Sequence, residues 1–107
     1  MDDDDLQKYL EEIAKLPLLT AAAEREIATK GSEGDPAARK ALIEANLRLV
    51  LAIARRFRDS GTRMIDLIQE GNVGLVRAVE QYDVRAGVSF STFARPMIRR
   101  AIERLLG

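Results

Sequence analysis

The chain has 107 residues, 47% apolar and 32% charged, and its 17 basic and 17 acidic side chains cancel. That suits one domain with a modest core, and the composition is that of a folded helical protein rather than a disordered one. Cys and His are absent, which excludes disulfides, thiolate metal sites and the commonest general base. No apolar run approaches the roughly 20 residues that span a bilayer, and the acidic opening, Asp2 to Asp5, is unlike a signal peptide. The expectation is a cytoplasmic protein with no membrane partner and no cofactor.

In chain order, Asp4 or Asp5 can cap a first helix from Leu6 to about Ala14, with Leu6, Leu10 and Ile13 on one face. Pro17 ends it, because the residue before a proline resists the α conformation. Thr20 looks like the cap of a second helix, Ala21 to Lys30, stopped by Gly31. Asp35-Pro36 is a strong start signal. The third helix, about Pro36 to Arg58, should be the longest. Its buried stripe reads Leu42, Ala45, Leu49, Ala52, Ile53 and Phe57, widened by Leu47, Val50, Leu51 and Ala54. Asn46 interrupts this apolar stretch and must be hydrogen-bonded or cost about 1–3 kcal/mol. It is either a core amide bonded to backbone or an amide at the edge of a pocket.

A fourth helix starts near Met64 to Asp66 and runs to about Gln81. Gly71 and Gly74 lie inside it, where each costs about 1 kcal/mol relative to Ala. Their spacing suggests close approach of another helix. Leu67, Ile68, Leu75, Ala78 and Val79 face the core. Asp66, Gln69, Glu70, Asn72, Val73, Val76 and Arg77 are left outside, a mixture that suits helix docking. After a loop at Asp83 to Ser89, Ser89 or Ser91 caps the last helix. Its core stripe is Ala94, Ile98, Ala101 and Leu105, with Ile102 alongside. Phe93, Met97, Arg100 and Arg104 form a neighbouring stripe, flanked by Arg95 and Arg99. Interleaved rings and guanidinium groups suit single-stranded nucleic acid, since bases stack on rings while Arg holds phosphates. Phe93 and Met97 could equally be core. Pro96 removes an interior hydrogen bond and predicts a kink.

Zero net charge hides a segregation. Residues 1–44 carry 11 acids and 6 bases, and residues 45–107 carry 6 acids and 11 bases, all of them Arg. Codon composition can favour Arg over Lys but does not separate the signs. The C-terminal part therefore points to an anionic partner.

Three stretches go further. IEANLRLVLAIARRF, DLIQEGNVGLVRAVEQYD and GVSFSTFARPMIRRAI, in this order and spacing, resemble the bacterial sigma-70 family of transcription initiation factors, regions 1.2 through 2.4. LQKYLEEIAKLPLLT resembles the start of region 1.2. The resemblance implies an all-α, compact bundle of about five helices in one domain, with region 1.2-like helices at 1–31 and the region 2-like part at 36–107. It implies that the DLIQEGN helix binds the clamp helices of the largest catalytic subunit of RNA polymerase. Asp66, Gln69, Glu70 and Asn72 would make polar contacts, with Leu67 and Val76 beside them.

It also implies that the last helix and preceding loop recognise the promoter −10 element by capturing flipped non-template bases. Tyr82, Asp83, Thr92 and Phe93 would surround the flipped adenine. Asn46 and Leu49 would line the pocket for the second flipped base. Arg99, Arg100 and Arg104 would hold the strand and upstream duplex, and Arg85 and Met97 join this DNA-binding set. Possible partners include an anti-sigma factor.

The chain departs from housekeeping members at Pro96 and Met97, where they have two tryptophans, at Arg100, where they have Gln, and at Ala86 and Val88, where they have aromatic or basic residues. STFARPMI looks like the STYAVPMI of sporulation and general-stress members, while the N-terminal half is housekeeping-like. Weaker melting and a shifted base preference at the upstream edge are expected, because Arg pairs best with guanine. The chain ends before any −35-reading segment, so a fragment, minimal form or engineered version is expected. No catalysis is expected. The competing reading is a helical protein-interaction module that binds polymerase or a regulator without productive DNA recognition.

Overall fold

Three helix starts are built as their sequences require. Thr20 accepts a hydrogen bond from the Ala23 amide, Asp35 from the Ala37 amide and Ser89 from the Thr92 amide, so each side chain satisfies one amide that the first helical turn leaves unpaired. The computed structural model describes residues 2–107. Its helices are α1 (Asp2–Lys15), α2 (Ala21–Ser32), α3 (Pro36–Ala45), α4 (Leu47–Arg55), α5 (Met64–Gln81) and α6 (Phe90–Leu106), with a 3-10 turn at Val84–Ala86. The architecture is the all-α bundle expected, with no strand among the described residues.

The boundaries differ in three places, each for a physical reason. The acidic run does not cap α1 but forms its first turn, where carboxylates suit the positive end of the helix as well as they would outside it. Gly31 does not stop α2. It is buried against Arg39, whose Nε donates to the Gly31 carbonyl at 2.9 Å. The turn falls at Gly34, with φ of +94°.

The expected long third helix is broken at Asn46. In an unbroken helix the Leu42 carbonyl would accept the Asn46 backbone amide. Here the side-chain Nδ2 takes that carbonyl at 2.9 Å, and the backbone amide shifts to Ile43. This is the local competition that makes Asn a poor interior helix residue. The break shifts the phase of the second half. Val50, Ile53 and Ala54 are buried, Leu49 and Phe57 are half-buried, and Ala52 is exposed.

α5 and α6 share the largest interface, with α4 packed against both, α2 lying on α3, and α1 touching α5 along a narrow strip. The close approach expected of the two α5 glycines occurs. A Cβ on Gly74 would lie 2.7 Å from the Met97 carbonyl oxygen and 2.9 Å from the Ile98 Cα; one on Gly71 would lie 2.7 Å from Val50 Cγ1. The core centres on Leu42, Val50, Leu67, Ile68, Leu75, Ile98 and Ile102. Truncating such a leucine to alanine costs about 2–5 kcal/mol. Leu105, expected in the α6 stripe, is instead exposed in its last turn. The helix continues through Pro96 to Leu106.

Candidate nucleic-acid and protein interfaces

The outer face of α5 presents Asp66, Gln69, Glu70, Val73, Val76 and Arg77 at least partly to solvent. Two of its valines are 42% and 39% exposed, which is apolar surface that a partner helix can cover. Asp66 sits in the first turn and is gripped by Arg63, Nε to Oδ2 at 2.9 Å and Nη2 to Oδ1 at 3.1 Å. That hydrogen bonding holds its carboxyl below the usual range. A partner cation would therefore share an acid that already has a ligand.

Two residues expected on this face are placed differently. Leu67 is fully buried, packed into the hydrophobic core rather than facing outward. It belongs to the core and has no surface to offer a partner. Asn72 turns toward α1. Its Nδ2 donates to the Tyr9 hydroxyl at 3.1 Å, and its Oδ1 is buried without a hydrogen-bond partner. Such an orphan carbonyl costs about 1–3 kcal/mol.

The loop after α5 is organised around one ring. The Tyr82 side chain is 7% exposed and its hydroxyl donates to the Val88 carbonyl at 2.6 Å, which closes the loop on itself. Burial raises its pKa first, and the neighbouring Asp83 adds to this. Phe90 meets the Tyr82 ring edge-on at 5.4 Å, and Phe93 meets it tilted at 5.5 Å. Tyr82 and Phe90 are buried, and Phe93 is half-buried. Tyr82 thus forms the floor of this cluster, and its ring is not a free stacking surface. Phe93 is the member that reaches solvent.

Asp83 and Arg85 neutralise one another. The Arg85 backbone amide donates to Asp83 Oδ1 at 2.9 Å and its guanidinium grips both carboxylate oxygens, which lowers the Asp83 pKa and raises that of Arg85. Gly87, with φ of +79°, allows the turn back to α6, a conformation costly for a residue with a Cβ. Thr92 is exposed, and its hydroxyl accepts from Ser89 at 2.8 Å.

Asn46 and Leu49 stand at the start of α4, and among the described residues neither is hydrogen-bonded to the Tyr82 cluster. Asn46 is buried and one N–H of its amide is committed to Leu42, which leaves Oδ1 and the second N–H to line a pocket. On α6, Arg99 lies 3.9 Å from Glu103, whereas Arg95, Arg100 and Arg104 are exposed on the same helix with no acid paired to them among the described residues. Met97 is half-buried between these arginines and the core.

Some residues that shape these faces carry no local signal. Arg48 donates from Nη2 to the Ile13 and Leu16 carbonyls at 3.0 and 2.8 Å, capping the end of α1 from α4. Tyr9 takes up Asn72. A groove of about 480 Å³ runs between α2 and the loop, with Ala28, Tyr82 and Phe90 among its lining residues and Glu24 and Arg25 contributed by α2. Among the described residues no three acids converge on a metal-sized site, and no helix is long and apolar enough to cross a membrane.

The model for sigma-70 region 2 matches residues 42–106, and that for region 1.2 of the sigma-70 factor matches residues 4–37. The chain is similar to the RNA polymerase sigma factor SigA of Clostridium acetobutylicum, at 50% identity over 104 residues, covering 97% of this chain and 28% of that protein. It is similar to the RNA polymerase sigma factor SigA of a Bacillus species at 48% identity, with the same coverage of each. The chain thus spans less than a third of the length of these curated relatives.

Proposed function

The chain belongs to the sigma-70 family, and from that premise we propose that it is a promoter-recognition domain that binds RNA polymerase and the non-template strand of the −10 element. In this reading the outer face of α5 docks on the clamp helices of the largest catalytic subunit, through Asp66, Gln69, Glu70 and the exposed valines. The 82–93 segment and α6 hold flipped bases against Phe93. Arg100 and Arg104 hold phosphates. The domain performs no chemistry of its own. Residues 1–107 act as one unit, with the region 1.2-like helices α1 and α2 supporting the rest.

The observation that carries the reading is the ring cluster. Phe93 rests on the buried Tyr82 ring, itself met edge-on by the buried Phe90, and is left half open on the helix that bears Arg95, Arg100 and Arg104. A ring held in place by packing loses little conformational entropy when a base stacks on it. Base capture of this kind is set against an unstacking cost of a few kcal/mol.

A titration with a fluorescent single-stranded −10 oligonucleotide tests it. Binding should depend on the −10 bases and weaken with salt, with a logarithmic slope of about −0.7 per phosphate neutralised. Binding indifferent to those bases, or absent at low salt, favours the interaction module instead, for which the exposed valines of the α5 face are the supporting observation. Phe93→Ala should reduce oligonucleotide affinity by at least about 1 kcal/mol with clamp-helix binding unchanged. Loss of both together would assign Phe93 to the core.

A further inference from the structure

At the end of the molecule where α1 crosses the α4–α5 junction, a groove of about 390 Å³ is lined by Leu6, Leu10, Leu51, Met64, Arg55 and Arg58. The four apolar side chains are half-buried, and the two arginines are exposed. No residue expected to touch DNA lines it. Arg58 donates from Nη1 to the Arg55 carbonyl at 2.8 Å, which fixes the rim, and among the described residues neither guanidinium has an acid paired to it.

We propose that this groove receives an acidic amphipathic helix of a partner protein, with one or two large aliphatic or aromatic side chains seated on Leu6, Leu10, Leu51 and Met64 and carboxylates meeting Arg55 and Arg58. Charge complementarity selects an acidic occupant, since guanidinium forks match carboxylates in bidentate geometry. The floor selects protein over nucleic acid. It is wholly aliphatic and thioether and offers no ring on which a base could stack. Met64 gives it the adaptability of a surface that accepts more than one anchor side chain. Its concavity holds side chains rather than a flat lipid surface. Met64 also opens α5, so a helix lying here would run up to the N-terminal end of the face assigned to polymerase. The inference does not depend on the promoter reading.

The test uses the 107-residue chain and fluorescein-labelled peptides of about 15 residues, long enough to be helical, with Leu, Met or Phe anchors at i and i+4 flanked by Glu. Their Lys-for-Glu counterparts and an oligodeoxynucleotide of equal charge serve as comparisons. Saturable binding is expected with Kd below about 1 mM, with methyl NMR shifts at Leu6, Leu10, Leu51 and Met64. The Arg55→Glu, Arg58→Glu double variant should weaken it at least tenfold with unchanged helicity. The milder Arg55→Gln, Arg58→Gln pair should fall between that variant and the original chain. No saturable binding by any acidic peptide, equal binding of the Lys peptides, tighter binding of the oligonucleotide at these methyls, or insensitivity to both double variants would each overturn the proposal.

Discussion

Asn72 and Tyr9 show how one side chain can be withdrawn from the face its sequence position assigns it. The amide is bonded across 63 positions of sequence to a tyrosine hydroxyl, with its own carbonyl left orphaned. Removing that hydroxyl leaves a half-buried NH2 without its partner. Tyr9→Phe should therefore lower stability by about 1–3 kcal/mol in urea unfolding. In the Asn72→Ala background the same change should cost much less. Equal costs in both backgrounds would mean that the bond carries no net stability.

Asp83 makes a different residue-scale prediction. Arg85 holds its carboxyl below the usual aspartate pKa of about 3.9, so the pair contributes stability above the unfolded value. That contribution is lost as pH falls through the folded one. Both side chains are exposed, so the effect on stability is small. The expected signature is carboxyl-carbon NMR in which Asp83 titrates below the ordinary aspartate range and returns toward it in Arg85→Gln. A carboxyl that titrates normally with Arg85 in place would rule the pair out in solution.

Elements, at the next scale, are fitted to one another through backbone rather than through side-chain bulk. α5 approaches α6 so closely at Gly74 that an added methyl group would meet a carbonyl oxygen and a Cα, neither of which can rotate away. Helix propensity alone favours Gly74→Ala by about 1 kcal/mol, while overpacking costs about 1–3 kcal/mol or more. The steric term should win because its obstacles are main chain. Thermal unfolding should show a lower Tm for Gly74→Ala; a higher one would mean that α6 can slide. The same interface accepts Pro96 inside α6, and the helix continues past it despite the missing amide.

Caps and turn glycines made most of these elements legible from local sequence. Thr20, Asp35-Pro36 and Ser89 mark their helices correctly because a cap satisfies amides only two or three residues away. The break at Asn46 was not legible. Apolar periodicity runs through it, and the deciding event is a side chain taking a backbone acceptor one turn back.

Across the whole molecule, the arginine-rich C-terminal part looks uniformly anion-seeking only until each guanidinium is traced. Arg48 caps α1, Arg63 grips Asp66 and Arg85 grips Asp83, while Arg99 leans toward Glu103. Charge left for an external anion concentrates on α6 at Arg95, Arg100 and Arg104, and in the Arg55–Arg58 rim at the other site. If α6 alone faces the strand, Arg100→Ala and Arg104→Ala should each reduce the salt slope of oligonucleotide binding by about 0.7. Arg55→Ala should leave it unchanged. A slope that falls equally for all three would indicate diffuse attraction rather than a defined track.

By itself the sequence determined that this chain is helical, where most helices start, that its charge is segregated, and which family it resembles. Those properties depend on periodicity, on residues within a turn of one another, or on strings of residues read directly. Only the tertiary structure decided which candidate side chains keep a surface. Tyr82 and Leu67 are buried while Phe93 stays half open, and Asn72 faces α1 rather than outward. Exposure and pairing depend on contacts between segments tens of residues apart, and no local pattern encodes which of two neighbouring rings becomes the floor and which the surface.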